Sequence, residues 1–439
     1  MTLATEPLPR TARDVVDEHR RHLFACAAPY YREPLVLASA QGVWARDRDG
    51  REYLDLFAGI LTTSVGHCHP EVVAAIGEQA RTLGHVSTLY VNEPQVEAAR
   101  LLAGLAPGAL TSSFFTNSGT EAIETAVMLA CIHTGSSEIL TPRLAYSGRS
   151  VLATNLTAQG PWRPLASSVA GIKHVIAPYP YRCPFCRGRC TGACGDAFAE
   201  DLVSVIETTT NGRPAAFLAE TILGVGGFIV PPPGYFRRAA EIIRSYGGLF
   251  ISDEVQTGFG RTGDRWFGIE HWGVEPDIMV MAKGIANGMP VGATLTRPEI
   301  AASWRSKTIS TFGGNPIAMA AMRATLGVLV REDAPRRAAA RGAQLRRGLV
   351  DLATRHPWIG DVRGMGLMQG LELVVDPESR KPDPARAQAL LEAAREEGLL
   401  IGLGGLKGNN LRLGPSLLIT EDEVAEGLRR LERACDRAA

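Results

Sequence analysis

Lysine is scarce in this chain. Among 439 residues only Lys173, Lys283, Lys307, Lys381 and Lys407 occur, and arginine supplies the rest of the positive charge. Chemistry that needs a side-chain amine therefore has five candidates. Net charge is missing too: 46 basic residues balance 46 acidic ones. That balance gives no electrostatic reason to expect nucleic acid or an anionic membrane as a partner, and leaves small molecules as the default ligands. No apolar run is long enough for a membrane helix, and the first thirty residues lack the apolar core of a secretory signal, so the chain reads as cytoplasmic. There is no repeat of twenty to fifty residues and no low-complexity tract, which excludes solenoids and long disordered linkers. Cysteine is sparse, eight in all, yet four fall within twelve residues, in CPFCRGRCTGAC from Cys183 to Cys194.

What the chain does contain is an alternation of strand and helix. AAFLAETI (215–222), GGLFISDEV (247–255) and DIMVMAK (277–283) are short apolar runs rich in branched residues. Between the first two lies YFRRAAEIIRSYG (235–247), whose apolar residues recur at three and four. The pattern predicts an α/β fold with a mainly parallel sheet covered by helices on both faces. Ligands in such sheets collect beyond the carboxyl ends of the strands. Glu220, Asp253 and Lys283 fall there. WARDRDGREYLDL (44–56) reads as a hairpin turning at Asp49-Gly50. GLMQGLELVV (366–375) reads as a strand, with helices over 384–397 and 421–436. The terminal segments are expected to form a smaller α+β domain. The division is residues 1–60 and 326–439 for the small domain and 61–325 for the large one.

Three features at the strand ends carry chemistry. Lys283 closes an apolar strand ahead of a glycine-rich turn, where desolvation lowers an ammonium pKa and makes the amine a nucleophile toward carbonyls; the competing reading is a surface lysine. Asp253 is placed to pair with a protonated heterocyclic nitrogen, with Gln256 near enough to reach a ring oxygen; the competing reading is an acid that merely ends a strand. Ser118, Gly119 and Thr120 in TNSGTEAIETAV (116–127) precede a helix and suit a phosphate, although ordinary capping gives the same pattern. Together they describe a site for pyridoxal phosphate.

The sequence resembles the class III aminotransferases, which are fold type I pyridoxal phosphate enzymes. The resemblance runs from about residue 30 to 430. It rests on the block FISDEVQTGFGRTGDRWFGIEHWGVEPDIMVMAKGIANGMPVGA (250–293), with YLDLFAGILTTSVGHCHPEVVAAI (53–76), FFTNSGTEAIETA (114–126), STFGGNP (310–316) and LRLGPSLLIT (411–420) in the family's order. It implies that Lys283 binds the cofactor covalently and shuttles the proton. Asp253 then pairs with the pyridine nitrogen, Gln256 with the phenolic oxygen, Val255 packs under the ring and Tyr146 stacks on it. Ser118, Gly119 and Thr120 hold the phosphate, and Thr311 reaches the phosphate of a neighbouring subunit. A homodimer with shared sites follows, and a tetramer is left open. Arg412 matches the arginine that binds the substrate carboxylate, and Glu220 is expected to pair with it when no carboxylate is present.

The implied reaction is a ping-pong transfer of an amino group from an amino acid, β-amino acid or ω-amine to pyruvate, glyoxylate or 2-oxoglutarate. SVGHCHP (64–70) and STLYVNEP (87–94) look most like the alanine–glyoxylate and 3-aminoisobutyrate–pyruvate branch. Tyr90, Ile60 and Leu61 are candidate pocket residues. An aminomutase, a dialkylglycine-type decarboxylase and a non-catalytic cofactor binder are the alternatives. Arg412 counts against the first and Ile60 against the second. Ser147 replaces a customary histidine, Leu223 a glutamine and Ser416 a proline. For Cys183, Cys186, Cys190 and Cys194, a structural zinc, reduced thiols and a disulfide all remain open.

Overall fold

In the computed structural model, which describes residues 11–166, 168–187 and 194–438, a seven-stranded sheet forms the centre. Its strands lie in the order Ser112–Thr116, Gly292–Thr296, Ile278–Met281, Leu249–Asp253, Ala216–Glu220, Ile139–Pro142, Ile172–Val175. Gly292–Thr296 runs antiparallel to both of its neighbours, and the remaining pairings are parallel. The three strands expected from the apolar runs are adjacent, and all their residues are buried.

Strand alternation sorts their side chains into two cores. Phe217 and Phe250 point to one face and pack with Phe236 of the helix Tyr235–Ser245. Leu218, Ile251 and Val280 point to the other, against Ala122, Ala126 and Ala130 of the helix Gly119–Thr134. Small residues on that helix let it approach closely, while the opposite face is filled by aromatic rings.

Two four-stranded sheets flank this core. In one, the hairpin Trp44–Asp47/Glu52–Asp55 turns at Asp49-Gly50, with Gly50 at φ 90, and pairs in parallel with Leu399–Leu400. In the other, Met368–Leu373 lies between Ile359–Met365 and Asn410–Leu413. The pairing of Leu54 with Leu399 joins the two ends of the chain in one sheet. The boundary placed at residue 325 falls inside the continuous helix Pro316–Arg331. Asp333, at a left-handed φ of 48, separates that helix from Ala334–Arg355. Among the described residues no helix is long and apolar enough to cross a membrane.

Buried charge ties the C-terminal sheet to two loops beside the central one, at Gly227 and Arg182. Arg363 donates to Gly227 O, Asp361 and Glu372, each at 2.8 Å. Arg182, from the far side, also reaches Glu372 at 2.6 Å. Breaking one partner of such a buried set leaves an uncompensated charge, at a cost of about 3–5 kcal/mol.

Candidate active site

Sheet register brings the catalytic candidates together. Glu220 and Asp253 are direct partners on neighbouring strands, and Asp253 in turn pairs with Val280, three residues before Lys283. All three side chains line one cavity of about 650 Å³ at the carboxyl ends of the strands. Ser118, Gly119, Thr120, Tyr146, Val255 and Gln256 line it as well.

Lys283 opens a short 3-10 turn, Lys283–Ala286, with φ 48. A left-handed backbone at a non-glycine residue costs about 1–2 kcal/mol and persists only where the surroundings hold it. Asn287 provides that hold: its side-chain oxygen accepts from Val65 N–H at 3.0 Å and its amide donates to Gly66 O at 2.8 Å. Ser64 adds a bond from its hydroxyl to Gly284 O at 3.1 Å. The segment 64–66 thus braces the lysine turn, 220 residues away in sequence.

Desolvation at the cavity pushes the Lys283 amine down from its ordinary value, while Asp253 and Glu220 pull it back up. Burial pushes both carboxyls up, and the charge of Asp253 raises Glu220 further. The cluster therefore favours shared protons over three full charges. Glu254, next to Asp253, has a different task. It is wholly buried and accepts from Gly268 N–H at 2.9 Å, Ile269 N–H at 2.8 Å and the Thr221 hydroxyl at 2.8 Å, fixing the 3-10 turn that follows the strand.

The helix Gly119–Thr134 begins at the cavity wall. Ser118 caps it, accepting from Glu121 N–H at 3.2 Å, so capping and cavity lining occur in the same residue. The amides of Gly119 and Thr120 belong to the first turn and have no partner within the helix. A Cβ at Gly119 would stand 3.4 Å from both Val255 and Ala282, so glycine lets the helix start come close under the site. Across from it, Gly148 at φ 130 leaves room for Thr120, whose hydroxyl accepts from Arg149 N–H at 3.1 Å. Arg149, Ser150, Thr62 and Asn117 also line the cavity and were not singled out from sequence; AYSGRS held Arg149 in plain view, but a lone arginine has no periodic signal.

These residues fit pyridoxal phosphate. Asp253 uses one carboxylate oxygen for Val255 N–H at 3.0 Å, and its other oxygen takes no hydrogen bond among the described residues. The Gln256 side-chain amide, its oxygen buried without a partner, and the partnerless Ser147 hydroxyl lie in the same wall; turned over, the amide offers N–H to a phenolic oxygen. A ring with a protonated nitrogen, a phenolic oxygen and a phosphate supplies the groups this wall lacks.

Other sequence candidates are placed apart from the cavity lining. Leu61 is buried in a small core with Phe57, Ile222, Phe228 and Met368. Ile60, at φ 67, turns to solvent, and Tyr90 is 67 % exposed. Thr311 is exposed and does not line the cavity of its own chain. Arg412 is buried on the strand Asn410–Leu413, between the rings of Phe57 and Phe228. The expected direct pairing of Glu220 with Arg412 is replaced by a relay. Glu220 accepts from Tyr146 N–H and Gly224 N–H, both at 2.8 Å, and Arg412 reaches Gly224 O at 3.5 Å, on the next peptide. With both oxygens held by backbone donors, the carboxylate has no need to swing toward the guanidinium. Ser416, where the resemblance has proline, donates to Ser64 O at 3.0 Å and anchors its loop.

Cys183 is buried, and its sulfur lies within 4.8 Å of those of Cys186 and Cys194; Cys190 lies outside the described residues.

Comparison with known proteins agrees with this geometry. The profile of the family described as Aminotransferase class-III matches residues 26–435. The alanine–glyoxylate aminotransferase 2 homolog 2 of Arabidopsis thaliana, described as mitochondrial, is 42 % identical over 395 residues, 90 % of this chain and 81 % of that one. An acetylornithine aminotransferase of Mycolicibacterium smegmatis is 38 % identical over 418 residues, 93 % of this chain and 96 % of that one. The crystal structure of an amine transaminase from an uncultivated Pseudomonas species, in its PLP-bound form, superposes with a TM-score of 0.89 at 33 % identity, covering 95 % of this chain and 98 % of that one. The chain belongs to the class III aminotransferases, pyridoxal phosphate-dependent enzymes of fold type I.

Proposed function

We propose that this aminotransferase takes its amino group from a β- or ω-amino acid, or from alanine, and passes it to pyruvate or glyoxylate, working as a homodimer. One observation carries the acceptor assignment. The guanidinium of Arg412 is buried, pairs with no carboxylate among the described residues, and keeps Nε without a hydrogen-bond partner. A buried, under-satisfied guanidinium is a standing site for a planar carboxylate, and its two faces are already covered by Phe57 and Phe228. Ile222 on the cavity wall, with Phe57 and Phe228 beside Arg412, makes the adjoining surface apolar, which suits a small keto acid with one carboxylate better than a dicarboxylate. The name of the Arabidopsis relative points the same way.

Pyridoxal phosphate, when bound, supplies the electron sink for proton removal next to the amino group. In our reading the chain's own residues do the rest. Lys283 would hold the cofactor through its side-chain amine, whose basicity desolvation lowers, and would take up and return the proton. Asp253 would pair with the protonated ring nitrogen. The first-turn amides of Gly119 and Thr120 would hold the phosphate. Tyr146, steadied by its backbone bond to Glu220 and by an edge contact with Trp162 at 5.6 Å, would stack on the ring. Support for the dimer comes from exposed Thr311 and its apolar neighbours Ile309 and Phe312.

A donor and acceptor panel read by half-reaction spectra tests the assignment. Turnover with pyruvate or glyoxylate exceeding that with 2-oxoglutarate is expected. A preference for 2-oxoglutarate would overturn the acceptor assignment while leaving the aminotransferase chemistry in place.

A further inference from the structure

The cysteine cluster is separate from the residues lining the cofactor cavity and makes no part of the transamination chemistry. Cys183 follows the 3-10 turn Pro180–Arg182 and is 2 % exposed. Cys186 lies three residues on, and Cys194 is the first residue of the helix Cys194–Thr209. Their sulfurs all lie within 4.8 Å of one another. Cys183 packs in the core with Phe198, Leu202 and Ile206, and Phe185 meets Phe198 edge to face at 5.1 Å, so the chain returns on itself over a dry floor.

Three sulfurs in one half-buried cluster suit a single soft cation. Tetrahedral zinc, with Zn–S bonds of about 2.3 Å, sets its sulfurs about 3.8 Å apart, within the spread seen here. A disulfide needs two sulfurs at about 2.05 Å and leaves the third unaccounted for. We propose that Cys183, Cys186 and Cys194 are ligands of one structural zinc ion, with the fourth tetrahedral position left to water or a further ligand. Zinc is the class favoured by thiolate ligands and by a site with no substrate cavity or redox role. The ion fastens the start of the helix Cys194–Thr209 to the Pro180–Cys183 turn. Through Arg182, which donates to Glu372 at 2.6 Å and to Arg380 O at 2.8 Å, it also fixes the position of the C-terminal sheet.

The test is elemental analysis of tag-free holoenzyme prepared without chelators, alongside Cys186→Ser and, as a control outside the cluster, Cys131→Ser. Cys186 is only half-buried, so its variant avoids the core defect that Cys183→Ser would introduce; the visible cofactor band reports that each variant is folded. About one zinc per chain is expected in the parent and in Cys131→Ser, and less than about one-tenth in Cys186→Ser. Cobalt substitution should give the sulfur-to-metal charge-transfer bands of a tetrahedral thiolate site, lost in Cys186→Ser. Parent enzyme without zinc, whether its thiols are all reactive, joined in a disulfide by peptide mapping, or bound to iron and labile sulfide, would overturn the proposal. So would zinc retained in full by Cys186→Ser.

Discussion

At the floor of the cavity, Glu220 and Asp253 are each 5 % exposed and stand on adjacent strands of a buried sheet, whereas the segments 83–91 and 309–312 leave Leu89, Tyr90, Val91, Ile309 and Phe312 between 55 % and 92 % exposed. The floor is held by paired strands, and among the described residues lining the cavity the buried side-chain atoms left without a partner are Gln256 Oε1 and the Ser147 hydroxyl. The exposed strip is the reverse. His85 and Phe312 meet there at 5.0 Å, but the apolar surface around them has no cover among the described residues. Large exposed apolar clusters mark contact surfaces. The difference sets a buried chemical floor against an exposed strip that the proposed homodimer would cover, with Thr311 as the residue that would link the two.

The strongest way to break the floor is Lys283→Ala. Transamination should fall by about 10²–10⁴-fold or more, borohydride should no longer fix the cofactor to the chain, and sedimentation should show the same assembly as the parent. A covalent adduct that survives this substitution would mean that another amine is used. Asp253→Asn removes a charge-assisted bond while keeping the shape of the side chain. A fall of about 10–100-fold in kcat is expected in stopped-flow half-reactions, with weaker cofactor retention on dialysis. Arg412→Ala should raise KM for keto acids by about 10–100-fold and leave simple amines nearly unaffected, measured as kcat/KM for each half-reaction; equal losses on both would remove its proposed role. The smallest effect belongs to the strip. Phe312→Glu should weaken self-association by about tenfold or more by sedimentation, while the cofactor band of the floor persists. A fully active monomer would show that Thr311 serves no neighbouring site.

The three central strands and the floor residues at their ends were legible because two independent signals coincide there. An apolar run of strand length ends at a charged residue, and parallel sheets gather strand ends on one edge. The hairpin at Asp49-Gly50 was legible through its turn residues. Ile60 and Leu61 were not, since hydrophobicity is the same for a pocket wall and a core. What separates them is a left-handed turn at Ala58, Ile60 and Leu61, which non-glycine residues seldom signal; it sends Ile60 out and Leu61 in. The relay from Glu220 to Arg412 was hidden for another reason. It runs through the peptide of Gly224, and a backbone partner leaves no trace in side-chain chemistry. At that glycine, any side chain would collide with the Gln256 amide, so the residue serves space as much as bonding.

Ser64 joins three distant parts of the chain. Its hydroxyl bonds to Gly284 O, and its carbonyl accepts from Leu417 N–H at 2.8 Å and from the Ser416 hydroxyl, 352 residues downstream. Contacts this far apart in sequence close late in folding, so one residue near the amino terminus sets both the turn that carries Lys283 and the C-terminal loop at Ser416.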